Sequence, residues 1–334
     1  MGEAGRQPRP GAEVNMYSGI KLLAGTASRE LAGEISAYLN EPICDHEVIE
    51  FPNENVFVRL RRSVRGQDVY IIQTTSSPVN RNLMELLITL QTLKLDSAGR
   101  ITAVIPYLCY ARSDKKDQPR VPITARLVAD LIQVAGADRY MVLDLHAGQI
   151  QGFFSIPGDA LTTFHMLSGY FLEQRGRLQD PVIVAADLGY SKKGRNFAAK
   201  LGSSMAFIEK RRRGNDPSAE ALTIVGEVAG HDVIVVDDEV ATAGSVVQAV
   251  ELVKAHGARD VYLCFVHPVF AADAAERLAR LPVKQIVTTN TIPLLASQRA
   301  GLGDRLVVLS VAPLLGEVIR RAHEGRSVGE MFNE

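Results

Sequence analysis

The chain has 334 residues, 46% of them hydrophobic, with 37 Lys and Arg against 38 Asp and Glu. Its length and apolar content suffice for a large core and for two domains rather than one. A formal net charge of −1 gives no global basic field, so nucleic acid and acidic membrane are excluded as partners and any anion site must be local.

In chain order, Met1 to Ser18 carries Gly, Pro, Arg and Glu without an apolar core of signal-peptide length, and reads as a disordered leader. No apolar run approaches the roughly 20 residues needed to span a bilayer. Cys44, Cys109 and Cys264 stand far apart among apolar neighbours, the pattern of buried thiols in a reduced, cytoplasmic protein. Apolar β-branched runs predict strands over Ile20 to Leu23, Val56 to Leu60, Val69 to Gln73, Ile101 to Ile105 and Tyr140 to Leu145. Helical spacing covers Arg29 to Leu39, Asn82 to Leu95 and Ile123 to Val134. The second half repeats the alternation, with strands at Val182 to Ala185, Met205 to Ile208, Val233 to Val236, Val261 to Val266 and Gln285 to Thr289, and helices at Lys193 to Lys200, Ser245 to His256 and Ala272 to Ala279. This is an α/β pattern of two mostly parallel sheets flanked by helices, with a boundary near Thr163 and ligands expected at the strand ends.

The richest motif is Val233 to Ser245, an apolar strand running into Asp237, Asp238 and the small-residue turn Thr242-Ala243-Gly244-Ser245. Adjacent acids at a strand end can accept from vicinal ribose hydroxyls, and the N–H groups of a turn opening a helix can cradle a 5-phosphate. An ordinary βα turn with exposed acids is the plainer account, and adjacent acids are otherwise costly to hold together. His146 leaves the Tyr140 strand beside Gly148, where it could ligate a metal, act as acid or base, or cap backbone. Asp187 ends the Val182 strand and precedes Lys192, Lys193 and Arg195; it could be a helix N-cap, although the cations after it suit a triphosphate. Glu209 to Pro217 and Arg112 to Arg120 are two cation-rich loops, which together favour polyanion binding over solvated turns. No Walker loop, dinucleotide fingerprint, nucleophile elbow or zincin helix occurs.

With these motifs in place, the chain from about Ile20 resembles the ribose-phosphate pyrophosphokinase family, whose loop is the phosphoribosyltransferase signature. Segments that carry the resemblance include Ser63-Val64-Arg65-Gly66, Asn82 to Leu87, Val121-Pro122-Ile123-Thr124, Asp144 to Phe154, Glu209 to Arg212, Asp237 to Ser245, Asn290 to Leu294 and Leu314 to Arg321. The resemblance implies two tandem phosphoribosyltransferase-like domains, 19–163 and 164–313, with 314–334 returning to the first. It implies transfer of the β,γ-pyrophosphoryl group of ATP to ribose 5-phosphate, with Mg²⁺ as cofactor, in a dimer-based homo-oligomer of hexameric type. By the same resemblance Lys210, Arg212 and His146 are catalytic, and His146 and Asp187 hold metal. Arg112, Asp114, His146, Phe51, Asn53 and Asn55 take ATP, while Asp237, Asp238, Thr242, Ala243, Gly244 and Ser245 take ribose 5-phosphate.

Some positions depart from the family pattern. Ala241 replaces an acid of the ribose-phosphate loop, and Phe51-Pro52-Asn53-Glu54-Asn55 has amides where the family's adenine-reading segment has acids. Ser113, Asp117-Gln118-Pro119 and Ala160 differ in regions linked to ATP and to phosphate regulation, so altered regulation is expected. A non-catalytic regulatory homologue would be expected to have lost Lys210 or Asp187, and neither is lost. A salvage phosphoribosyltransferase is disfavoured by the second α/β half.

Overall fold

The computed structural model describes residues 17–186, 189–212 and 220–332, with the side chains of 210–212, 220, 221 and 332 outside that description. The first sheet is wholly parallel, in the order β1 (Ile20–Ala24), β4 (Asp68–Ile72), β5 (Arg100–Ile105), β6 (Arg139–Leu143), β7 (Gly158–Leu161). Strands of such a sheet are buried on both faces, and alternate residues serve alternate cores. Val69 and Ile71 of β4 join the core under α2 (Val79–Leu95) and α3 (Thr124–Ala135), whereas Tyr70 and Ile72 join the one under α1 (Arg29–Leu39). That second core is completed by Ala312, Leu315, Val318 and Ile319 of the last helix, α9 (Ala312–Glu324), which packs on α1. The crossing is close because Gly316 leaves room for the Tyr38 ring, which a Cβ there would meet at 2.4 Å.

The second sheet runs β10 (Glu220–Val225), β9 (Ser204–Arg212), β8 (Val182–Ala185), β11 (Val233–Glu239), β12 (Val261–His267), β13 (Gln285–Thr289), β14 (Leu306–Leu309). Within this sheet, among the described residues, only the β10–β9 edge pair is antiparallel. One face carries α4 (Phe164–Glu173) and α5 (Ser191–Leu201); the other carries α6 (Gly244–Ala255), α7 (Ala274–Ala279) and α8 (Ala296–Leu302). The chain goes from β8 outward to β9 and then back to β11 on the other side of β8. This reversal is the topological switch point at which open α/β sheets hold ligands, and the Asp237 to Ser245 segment leaves β11 there.

Several expectations need correction. Tyr17 and Ser18 do not belong to a free leader: the Arg100 guanidinium lies 4.8 Å over the Tyr17 ring, and the Ser18 hydroxyl donates to Gly66 O at 3.2 Å. Residues 1–16 lie outside the described residues. The strand expected at Met205 to Ile208 continues through Arg212 because β10 pairs with it, Leu222 opposite Lys210 and Glu220 opposite Arg212. Glu209 to Arg212 is therefore hairpin backbone rather than loop. The strand expected to reach Leu145 ends at Leu143, because Asp144 adopts φ 38°, a left-handed value that breaks the ladder. The strand at Val233 extends through Glu239, so its acids are strand residues. Strands β2 (His46–Glu50), β7, β10 and β14 and helices α4 and α8 were not anticipated.

Candidate active site

The carboxyl ends of both sheets face one cleft. From the first sheet, the segment after β5 contributes Arg112 and Asp114, and the segment after β6 contributes His146. From the second sheet come the end of β11 and the turn into α6. The cleft has two adjoining lobes sharing Arg112, His146 and Asp238. One, of about 260 Å³, is lined by Asp237 to Val246; the other, of about 290 Å³, by Asp114, Lys115, Gln149, Tyr190 and Lys193.

In the first lobe the turn is fixed from behind. Val240 N–H donates to His267 O, Phe270 N–H to Val240 O and Ala271 N–H to Ala241 O, each at 3.0 Å, while the Arg277 guanidinium donates to Thr242 O at 3.0 Å. Ala243, buried at φ 62°, is the N-cap of α6. A left-handed alanine is strained by about 1 kcal/mol or more, and the tethers around it hold that strain. The geometry presents the head of a 12-residue helix to the lobe, where first-turn N–H groups have no intrahelical acceptor and attract an anion. Ala241 therefore serves as a backbone tether in this loop.

The acids are held by different means. Asp238 accepts from the His146 ring, with Nδ1 2.7 Å from its Oδ2, across the boundary between the two sheets. Burial would raise the Asp238 pKa, but hydrogen bonds from His146 and at Asp237 overcome it and bring it down to about 2. The same bond raises His146 above its ordinary 6.5 against the opposing effect of burial. The charged contact thus persists below the raised pKa and is lost as pH climbs through it. In the metal-free protein, Asp238→Asn is expected to move the His146 midpoint downward, as read from its ring proton resonances between pH 5 and 9. An unchanged midpoint would break the assigned pairing.

Asp144 sets the direction of the chain into His146. Its buried carboxylate accepts from Thr163 N–H and Thr163 Oγ1, both at 2.7 Å, and from Thr162 Oγ1 at 3.0 Å, with Lys193 Nζ at 3.4 Å. Its strained backbone is over-determined by these contacts, as strain at a site must be. His267, buried and with its pKa pushed down by burial, bonds Thr291 Oγ1 at 2.9 Å and lies edge-on to Tyr107 at 5.1 Å.

The expected residues divide into three groups. His146, Arg112, Asp114, Asp237, Asp238, Thr242, Ala243, Gly244 and Ser245 all line the two lobes. Phe51, Asn53 and Asn55 do not: they occupy the tip joining β2 to β3 (Val56–Leu60), where Asn53 Oδ1 accepts Asn55 N–H at 3.3 Å to close the turn. Asn55 borders a separate cavity of about 660 Å³ with Arg81 and Met84. Asp187 lies outside the described residues, and Lys210 and Arg212 are placed by backbone alone, on β9. Sequence reasoning missed Glu239, whose buried carboxylate pairs with Arg112, and Gln149, whose amide donates to Asp114. Glu239 was detectable as a third consecutive acid on a strand otherwise buried on both faces.

Two mostly parallel sheets whose strand ends enclose adjacent acids and a small-residue turn heading a helix have the arrangement of a phosphoribosyl-handling α/β protein. Comparison with known proteins narrows this. A family described as the N-terminal domain of ribose phosphate pyrophosphokinase matches residues 20–136, and one described as a phosphoribosyl synthetase-associated domain matches residues 216–333. The ribose-phosphate pyrophosphokinase of Aquifex aeolicus is 43% identical over 316 residues, covering 94% of this chain and 99% of that protein. That of Clostridium acetobutylicum is 44% identical over 321 residues, covering 96% and 99%. The crystal structure of phosphoribosylpyrophosphate synthetase from Mycobacterium smegmatis superposes with a TM-score of 0.87 at 39% identity, covering 92% of this chain and all of that one. The chain belongs to the ribose-phosphate pyrophosphokinase family.

Proposed function

We propose that the cleft joins ATP to ribose 5-phosphate, transferring the β,γ-pyrophosphoryl group to the C1 hydroxyl and releasing AMP. The observation that carries the reading is the cleft's two-lobed form, with Arg112, His146 and Asp238 common to a helix-headed anion cradle and a cation-lined lobe. The cradle suits the sugar phosphate: Thr242 to Ser245 take the 5-phosphate and Asp237 and Asp238 accept from the ribose hydroxyls. The second lobe suits ATP, with Arg112, Lys115 and Lys193 along its phosphates. As the C1 oxygen bonds to Pβ and the Pβ–O bond to AMP breaks, Lys210 and Arg212 neutralise the phosphoryl oxygens. Such chemistry requires placement and charge rather than a covalent nucleophile.

Among the described residues no three metal-ligating side chains form a ready cage. Mg²⁺ takes one or two carboxylates and completes its shell with water and substrate phosphates. His146 and Asp187 would hold it, and bound Mg²⁺ would supply charge neutralisation along the phosphate chain. We assign residues 19–163 with 314–334 to one domain and 164–313 to the other. We place the enzyme in the cytoplasm as a dimer-based homo-oligomer of hexameric type, in which the exposed tip with Phe51, Asn53 and Asn55 meets a neighbouring subunit's adenine. Among the described residues no helix is long and apolar enough to cross a membrane.

The cradle is tested by Gly244→Asp, which puts a carboxylate at the helix head. We expect the KM for ribose 5-phosphate to rise at least about 10-fold, since 1.4 kcal/mol of repulsion is tenfold in affinity, with ATP affinity by calorimetry little changed. An unaltered KM would place the 5-phosphate elsewhere.

A further inference from the structure

We propose that Glu239 is a positioning residue for the nucleotide: it anchors the Arg112 guanidinium across the boundary between the sheets and so aims that group at the phosphates of ATP. The inference rests on the assignment of ATP to the second lobe.

Glu239 is the last residue of β11, and its side chain is 4% exposed. A carboxylate so desolvated needs a cation. Among the described residues its ion-pair partner is Arg112, which comes from the other sheet, is 58% exposed, and is engaged at Nε. A guanidinium carries five N–H donors in a rigid fork. The closest approach to Glu239 is at Nε, and the other four donors sit on the terminal nitrogens, which can meet a phosphate bidentately. Among the described residues Arg112 has no other ion-pair partner, and it lines both lobes.

The surroundings support a fixed pose. The Tyr107 phenol, on the same segment as Arg112, is pushed up by burial and then by the Glu239 charge. Backbone bonds on either side hold Glu239 itself, with its N–H on Asp238 Oδ1 at 2.9 Å and Val240 N–H on His267 O at 3.0 Å. An exposed, unanchored arginine would sample many rotamers, and each ordered on binding lowers affinity. Glu239 removes that freedom in advance. It also ties the two sheets at the cleft floor beside the His146–Asp238 pair.

The experiment is a double-mutant cycle on the full chain, with Glu239→Ala, Arg112→Ala and both together, reading the KM values and, by calorimetry, ATP affinity without turnover. Glu239→Ala is expected to weaken ATP about 10-fold in KM and in direct binding, with a smaller rise in the KM for ribose 5-phosphate, whose lobe Glu239 borders; in the Arg112→Ala background it should change ATP affinity by less than about twofold. Glu239→Gln, which keeps shape and an acceptor, covers the case in which the alanine variant fails to fold, and should show the same ATP-selective loss. Equal losses in both backgrounds, or a loss confined to ribose 5-phosphate, would overturn the proposal. Absence of product from wild-type protein that still binds ATP would instead count against the activity, leaving the Glu239 result readable from calorimetry.

Discussion

Lys210→Ala is expected to lower kcat by at least about 100-fold, since removing one preorganised donor to developing phosphoryl charge costs about 10²–10³ in rate, with KM for ribose 5-phosphate little altered. The expectation follows from position. β9 lies next to and parallel with β8, so its carboxyl end, at Arg212, is on the same edge of the sheet as the ends of β8 and β11. Lys210 and Arg212 are two residues apart in sequence, and on a strand that spacing repeats one face while the residue between, here Arg211, alternates. Arg212→Ala should therefore fall with Lys210→Ala, while Arg211→Ala keeps most activity. Steady-state rates for the three variants check this, and equal loss in all three would reduce the segment to a diffuse positive patch.

The largest effect on stability is expected at Asp68, far from the cleft. This fully buried acid opens β4 and binds Arg100 through both Nε and Nη2, at 2.7 and 2.5 Å. It also accepts from Tyr70 OH at 2.8 Å and His323 Nδ1 at 2.9 Å, and Arg100 continues to Ala322 O at 3.0 Å. The cluster is how the end of α9 is bonded to the first sheet. Removing one partner of a buried ion pair strands the other charge, which costs about 3–5 kcal/mol. Asp68→Ala should lose that much in urea denaturation at pH 7. A loss below about 1 kcal/mol would show that water already compensates Arg100.

How much of this was readable in advance varied with the source of each element's stability. β11 and α6 were legible because four apolar β-branched residues, two acids and a small turn each signal locally. β7 was not: Gly158, Asp159 and Ala160 have little strand propensity. It forms through pairing with β6, and only glycine at 158 admits the Tyr140 ring, which a Cβ would meet at 2.2 Å. α4 is apolar on most sides and lacked an amphipathic period, since its surroundings are the second sheet and α5. β2 is half exposed, and its charged alternation resembles a loop until β3 pairs with it.

The site shows the same division. Residues within one segment, such as Asp237 to Ser245, were legible together, and the family resemblance named their partners. What local sequence could not express was distance across the chain. The His146–Asp238 bond joins residues 92 apart, and the Arg112–Glu239 pair likewise links the two sheets. Asn53 was read only against the family's acid, whereas in the fold its side chain closes the hairpin tip.

The most direct measurement is product formation from ATP, Mg²⁺ and ribose 5-phosphate by the wild-type chain, with AMP and phosphoribosyl pyrophosphate quantified together. The account predicts the two in equal amounts, dependent on Mg²⁺ and abolished when ribose 5-phosphate is omitted. ADP with a ribose bisphosphate product, or no turnover by folded protein that binds both substrates, would contradict it.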